Sequence, residues 1–317
     1  MHHTPAQTRW FTPSRKGHLT VFGGAFCISF AALFVQGAAM DPSMIAFYRL
    51  LFGCAALFSV AIAQRARLAP TRSMLLIMLP AALFFSADLV AWHASIIRVG
   101  PGLATILANF QVFFIALYGA FRLGEHLTWR HIVAMPLAVV GLWLIIDVGI
   151  GNMPEHIATG VFLGLLTAVF YTGYILTLRQ SQLNAIRLSP VANMAWVSLF
   201  STIILGGFCA AQGVSFTIPD AETAAILAAL GIICQAFGWY LLSLGLPLLP
   251  SSRAGLIMLA QPALSFIWDI IFCGRVTSAT GYLGVLIAIA AIGLGLTSPA
   301  KKTPASPKAD KRPTETP

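Results

Sequence analysis

Ten apolar stretches, separated by short polar joints, fix what this chain can fold into. They fall at residues 19–39, 43–64, 73–97, 101–121, 128–147, 157–178, 189–211, 222–245, 254–273 and 278–297. About 18 or more apolar residues in a row match the ~30 Å hydrocarbon core of a bilayer, whereas a helix in a soluble core alternates with charge. Lipid offers backbone amides no partner, so each stretch must satisfy its own hydrogen bonds as a helix. Composition agrees, with 58% hydrophobic and 9% charged residues, against roughly 25% charged in a soluble domain. The fold class is therefore an all-α integral membrane protein with ten transmembrane helices. A soluble enzyme is excluded.

The remaining pieces are short. Residues 1–18 make a basic N-terminal tail, and 298–317 make a Pro-, Lys- and Thr-rich C-terminal tail that cannot bury a core and is expected to be disordered. The basic start resembles a signal peptide, but its apolar run is too long and further spans follow, so it is read as an uncleaved first helix. Cys27, Cys54, Cys209, Cys234 and Cys273 all fall inside spans without CxxC spacing, which points to packing and away from disulfides or a metal site.

Positive charge gives the orientation, because Lys and Arg in short joints stay on the cytoplasmic side. With the N-terminus inside, Arg98 and Arg275 face out, Arg49 lies within a span, and the remaining sixteen of the 19 Lys and Arg face in. Both termini are thus expected in the cytoplasm of a cell with an inner (plasma) membrane, and the span number must be even. The net charge of +9 marks topology and anionic headgroups, not nucleic acid.

Slid against itself by 150 residues, the chain repeats: Gln111 falls on Gln261, Ala104 on Ala254, Gly124 on Gly274, Ala138 on Ala288 and Leu144 on Leu294. Residues 19–147 and 157–297 are accordingly two five-helix repeats. Five is odd, so the second must run through the bilayer upside down relative to the first. Inverted repeats of this kind enclose transporter sites near the midplane.

Three segments carry a family resemblance: MIAFYRLLFGCAALF at residues 44–58, the stretch 106–146 that contains GAFRLGEHLTWRH, and LIMLAQPALSFIWDIIFCGRVTS at residues 256–278. Together they resemble the EamA-type exporters of the drug/metabolite transporter superfamily over about residues 19–297. That family ends its fourth or ninth helix with Gly-Glu and a Leu-Thr step, here Gly124, Glu125, Leu127 and Thr128. In the second copy Gly274 is kept, Arg275 replaces the glutamate, and Thr277 and Ser278 follow. The mid-helix family proline is Pro262, and its first-copy counterpart is Val112. The resemblance implies a central cavity lined by spans 1, 3, 4, 6, 8 and 9, and places Arg49 at a family arginine.

Read from the residues, Glu125 caps the following helix at a turn flanked by Arg122 and Arg130, a structural staple with a gating or coupling role as the alternative. Charges inside spans are costly and mark function or pairing. Arg49 and Asp88 lie about 10 and 14 Å from the outer ends of their helices at 1.5 Å per residue, so they are expected to be able to pair. Asp88 is the candidate for proton coupling, and His93 lies near a span end. Asp269 is expected to snorkel to water.

Around these charges, Trp92, Asn109, Gln111, Tyr171, Tyr174, Gln235, Trp239, Tyr240 and Gln261 are expected to join Asp88 in lining a cavity, because amides facing lipid would go unpaired. Gly160 and Gly164 form a GxxxG. Such a site suits a small amphipathic solute, an amino acid or a relative. An importer or sugar-nucleotide exchanger, or drug efflux, is the alternative. An embedded enzyme lacks a GxSxG, HExxH or paired-carboxylate constellation, and a channel lacks a charged ring. The expected partners are a small-molecule substrate and the lipid bilayer, with a homodimer as an option. Nucleic acid, metal and cofactor are not expected.

Overall fold

The structure is a computed structural model that describes residues 13–122, 128–146, 154–184, 188–245, 248 and 257–296. Its ten helices among these residues are α1 (Arg15–Gly37), α2 (Pro42–Ala63), α3 (Arg72–Val99), α4 (Pro101–Arg122), α5 (Trp129–Ile146), α6 (Glu155–Asn184), α7 (Pro190–Ala211), α8 (Ala221–Leu242), α9 (Ala260–Cys273) and α10 (Ala279–Leu296). All but α5, α9 and α10 are at least 22 residues long and apolar enough to cross a bilayer. Both tails beyond residues 13 and 296, and the Gly124–Glu125 turn, lie outside the described residues.

The chain enters its helices on capping chemistry. Asp41 accepts from the Ser43 amide at 2.8 Å ahead of Pro42, Ser189 from Ala192 at 3.2 Å ahead of Pro190, and Asp220 from Thr223 at 2.7 Å. Each oxygen satisfies an amide that the first turn would leave unpaired, and proline at the first helical position gives up no needed donor. Between α3 and α4 a single residue turns the chain: Gly100 at φ +86°, a conformation that side chains disfavour.

Neighbours obey the inversion. α3 packs along α6 and α1 along α8; α2 meets α8 and α7 meets α3; α2 faces α7, α4 faces α9 and α5 faces α10. Exchanging α1–α5 with α6–α10 reproduces the same set, as expected for two copies of one unit related by a pseudo-twofold axis. The α5–α10 joint shows it in detail. A Cβ on Gly141 would stand 2.6 Å from the Ala288 nitrogen and one on Gly284 2.8 Å from the Ile145 nitrogen, so both backbones touch through small residues. The GxxxG on α6 acts likewise, since a Cβ on Gly164 would stand 2.8 Å from that of Leu107.

Several helices are interrupted at membrane depth. α1 breaks at Phe30, α4 at Asn109–Phe110 and the chain just before α9 at Leu259, while α8 is π-helical over Leu230–Gly238. Asn109 and Leu259 are equivalent under the 150-residue offset. Irregular backbone survives there only where it is buried in protein or lines a cavity.

Candidate functional site

Asn109 at the α4 break and residues next to the other interruptions, Ile28, Trp239 and Met258, line one cavity of about 60 Å³, bounded by α1, α2, α3, α4, α6, α8 and the start of α9. Seven of the ten expected cavity residues line it: Asp88, Trp92, Asn109, Gln111, Tyr171, Trp239 and Gln261, together with Arg49. Tyr174 stands behind them, stacked on Phe85 at 4.3 Å between ring centroids and edge-on to Trp239 at 6.2 Å. Gln235 reaches the site through Arg49. Tyr240 is not on the cavity wall; its hydroxyl accepts from Gln64 Nε2 at 2.9 Å.

Arg49 organises the site. It is 3% exposed; its Nε donates to Gln235 Oε1 at 3.0 Å and its guanidinium lies 5.4 Å from the centre of the Trp92 ring. Gly53 makes the first contact possible, because a Cβ there would stand 2.9 Å from that of Gln235 and push α8 away. The expected pairing with Asp88 is not found: among the described residues no ion pair within 4 Å joins them. An amide and an aromatic face hold the guanidinium instead, and Arg49 and Asp88 both line the cavity without a direct contact.

Polar groups around the cavity are left over. Arg49 Nη1, Trp92 Nε1, Trp239 Nε1 and Gln111 Oε1 are buried and have no protein partner. Native interiors leave few such groups, so a cluster of them calls for an explanation. Asn109 at the α4 break donates its side-chain amide to the Thr105 carbonyl at 2.8 Å, beside the bond its own backbone amide makes there at 3.2 Å. His93 is fully buried, with Nδ1 at 3.2 Å from the Pro42 carbonyl and Nε2 unpaired.

Asp269 corrects another expectation. It does not snorkel to water: it is 2% exposed, accepts from the Gly102 amide at 3.0 Å and pairs with Arg275 at 3.3 Å. Arg275 in turn donates to the Val99 carbonyl at 2.9 Å and lies over the Phe266 ring. The left-handed residue Gly274 returns the chain over the end of α9 and brings the two partners together. With the Thr105–Ser265 contact at 3.1 Å, these bonds tie the α3–α4 turn to α9 at the Thr105 side of the cavity.

Sequence reasoning missed Thr105, Thr167, Phe85 and Met258 as cavity residues. Phe85 had a signal, three residues before Asp88 on the same helical face. The threonines had none, since a hydroxyl that bonds back into its own helix, as Thr167 does to Leu163 at 3.0 Å, is indistinguishable in sequence from a packing residue.

The model of the EamA-like transporter family matches residues 15–147 and 158–297, one match per repeat. An uncharacterized transporter of Archaeoglobus fulgidus is 21% identical over 286 residues, 89% of this chain and 97% of that protein. YwfM, an uncharacterized transporter of Bacillus subtilis, is 26% identical over 170 residues, 54% of this chain and 55% of that protein. A solved crystal structure with 17% identity superposes with a TM-score of 0.64 over 88% of this chain and 95% of its own, which shows the shared fold. The chain belongs to the EamA-like transporter family.

Proposed function

We propose that the protein is a secondary exporter of amino acids or closely related zwitterions, working by alternating access between its two inverted halves. The observation that carries this reading is a buried guanidinium and a buried carboxylate that share one cavity without pairing. Opposite charges held apart in a low-dielectric site are costly unless a ligand bridges them. A zwitterion does so. Its carboxylate takes the free Arg49 Nη1 and the indole donors of Trp92 and Trp239; its ammonium takes Asp88. Phe85 and Tyr171 offer an apolar wall to its side chain.

The cavity of about 60 Å³ is well below the ~300 Å³ at which small-molecule pockets begin. The described conformation is therefore contracted, with the Gly100 end shut by Asp269, Arg275 and Thr105. In the proposed orientation that end faces the outside of the inner membrane and both tails face the cytoplasm. Loading requires α4 and α9 to move apart at the other end, and release requires the Asp269–Arg275 seal to open. In this scheme Asp88 alternates between the ammonium of the ligand and a coupling proton, so that its charge is compensated in both states.

Ligand-dependent thermal stability of the purified chain tests the recognition. A ligand that binds only the folded state raises its melting temperature. An α-amino acid is expected to raise it, whereas the same compound without its carboxylate, or with its amine acetylated, leaves it unchanged. Equal shifts from all three would refute the zwitterion reading. For coupling, Asp88→Asn is expected to abolish accumulation driven by a pH gradient and, because it also removes the partner of the ammonium, to weaken exchange; unchanged pH dependence of the residual transport would remove Asp88 from the coupling role.

A further inference from the structure

We propose that the chain holds one phospholipid in a groove on the lipid-facing side of α3, with an acyl chain lying along α3 and the phosphate on Arg98. The groove has a volume of about 410 Å³. Ala87, Ala91 and Ala94 form its floor, and Phe170 of α6 and Ile204 and Phe208 of α7 form its walls. It exists because α6 and α7 each pack on α3 yet scarcely touch one another. α3 is thus a partition, with Asp88 and Trp92 on the cavity side and the alanines on the other.

Length, chemistry and charge all select this occupant. From Leu83 to Ala94, the limits of the groove on α3, the helix rises about 16 Å at 1.5 Å per residue. That is about half of the ~30 Å hydrocarbon core, the depth of one leaflet. Ser86 is the one polar lining residue, and its hydroxyl is already used by the Ala82 carbonyl at 2.8 Å. Nothing in the groove is left to bind a polar solute. Arg98 follows Ala91 and Ala94 at helical spacing on the same face, one turn beyond the end of the groove. It is exposed, anchors Nη1 on the Ala94 carbonyl at 2.7 Å and forms no ion pair within 4 Å among the described residues. Of the two cations on the outer side in the charge reading, Arg275 is used by Asp269, and Arg98 is left for a headgroup phosphate. The inference is independent of the solute that the protein carries.

Native mass spectrometry of the full chain, released from micelles that contain phosphatidylglycerol, tests it. The wild type is expected to carry a single preferred lipid adduct ahead of any others. Arg98→Gln should need about fivefold more lipid for equal occupancy, the equivalent of the roughly 1 kcal/mol that one cation contributes at a lipid surface. Ala94→Phe fills the floor and should remove the preferred adduct. A graded series of adducts identical in all three proteins would overturn the proposal, as would displacement of the adduct by a transported amino acid or a dimer whose contact buries the groove. Should Ala94→Phe fail to fold, a phosphatidylglycerol with a photoreactive acyl chain decides on the wild type. Cross-links at Val90, Phe170 and Phe208 support the site, and cross-links spread evenly to lipid-facing residues such as Leu76 and Val139 refute it.

Discussion

Arg49 holds Gln235 with one nitrogen and leaves another unpaired, and only a planar fork can do both at once. Lysine carries the charge on a single point and cannot replace it. Arg49→Lys is therefore expected to weaken substrate binding nearly as much as Arg49→Ala, by roughly ten- to a hundredfold for a lost charge-assisted hydrogen bond of about 1.5–3 kcal/mol. Apparent affinity in a transport assay checks this, and a lysine variant with wild-type affinity would contradict it. Arg49 and Asp88 were legible in the sequence because a charge inside an apolar run has few innocent explanations. Their failure to pair was not, since it depends on Gln235, which lies 186 residues away from Arg49. Tyr240 illustrates the opposite error. It follows Trp239 directly, and the step of about 100° around the helix carries its hydroxyl away from the cavity and onto Gln64.

The interruption in α4 carries no proline or glycine at Asn109 or Phe110, so no local rule announces it, whereas the one at Leu259 stands three residues before Pro262, whose missing amide breaks the ladder there. The first follows from how the two halves meet. The periodicity that placed the spans could find their number and sense but not where they break. Two elements invite direct tests. Asp269 ties α9 to the α3–α4 turn, and Asp269→Ala removes an acceptor from a buried pair at a cost of roughly 3 kcal/mol. A cysteine placed at Thr105 should then react with impermeant thiol reagents added from outside faster than in a parent that keeps Asp269; equal rates would mean that this pair does not hold the seal. The α5–α10 joint depends on Gly141 and Gly284, where backbones touch. Leucine at either should lower the melting temperature by several degrees, as overpacking by about 1–3 kcal/mol does. Val140→Leu, on a face 45% exposed to lipid, should leave it unchanged, and equal losses in all three would argue against the joint.

At the scale of the whole molecule, the inverted repeat was legible from an offset of 150 residues and a handful of identities, because an odd number of helices per copy leaves no other topology. It predicts that equivalent joints emerge on opposite faces. A cysteine at Met40, between α1 and α2, should react in intact cells; one at Leu188, between α6 and α7, should react only after the membrane is opened. The central claim is that the cavity between the halves carries a solute through the bilayer. Counterflow in proteoliposomes preloaded with an amino acid tests it most directly. Saturable uptake of the labelled amino acid, dependent on the preloaded solute and lost with Arg49→Ala, is the expected result. Flux that is linear in concentration, indifferent to preloading or equal in the two proteins would contradict it.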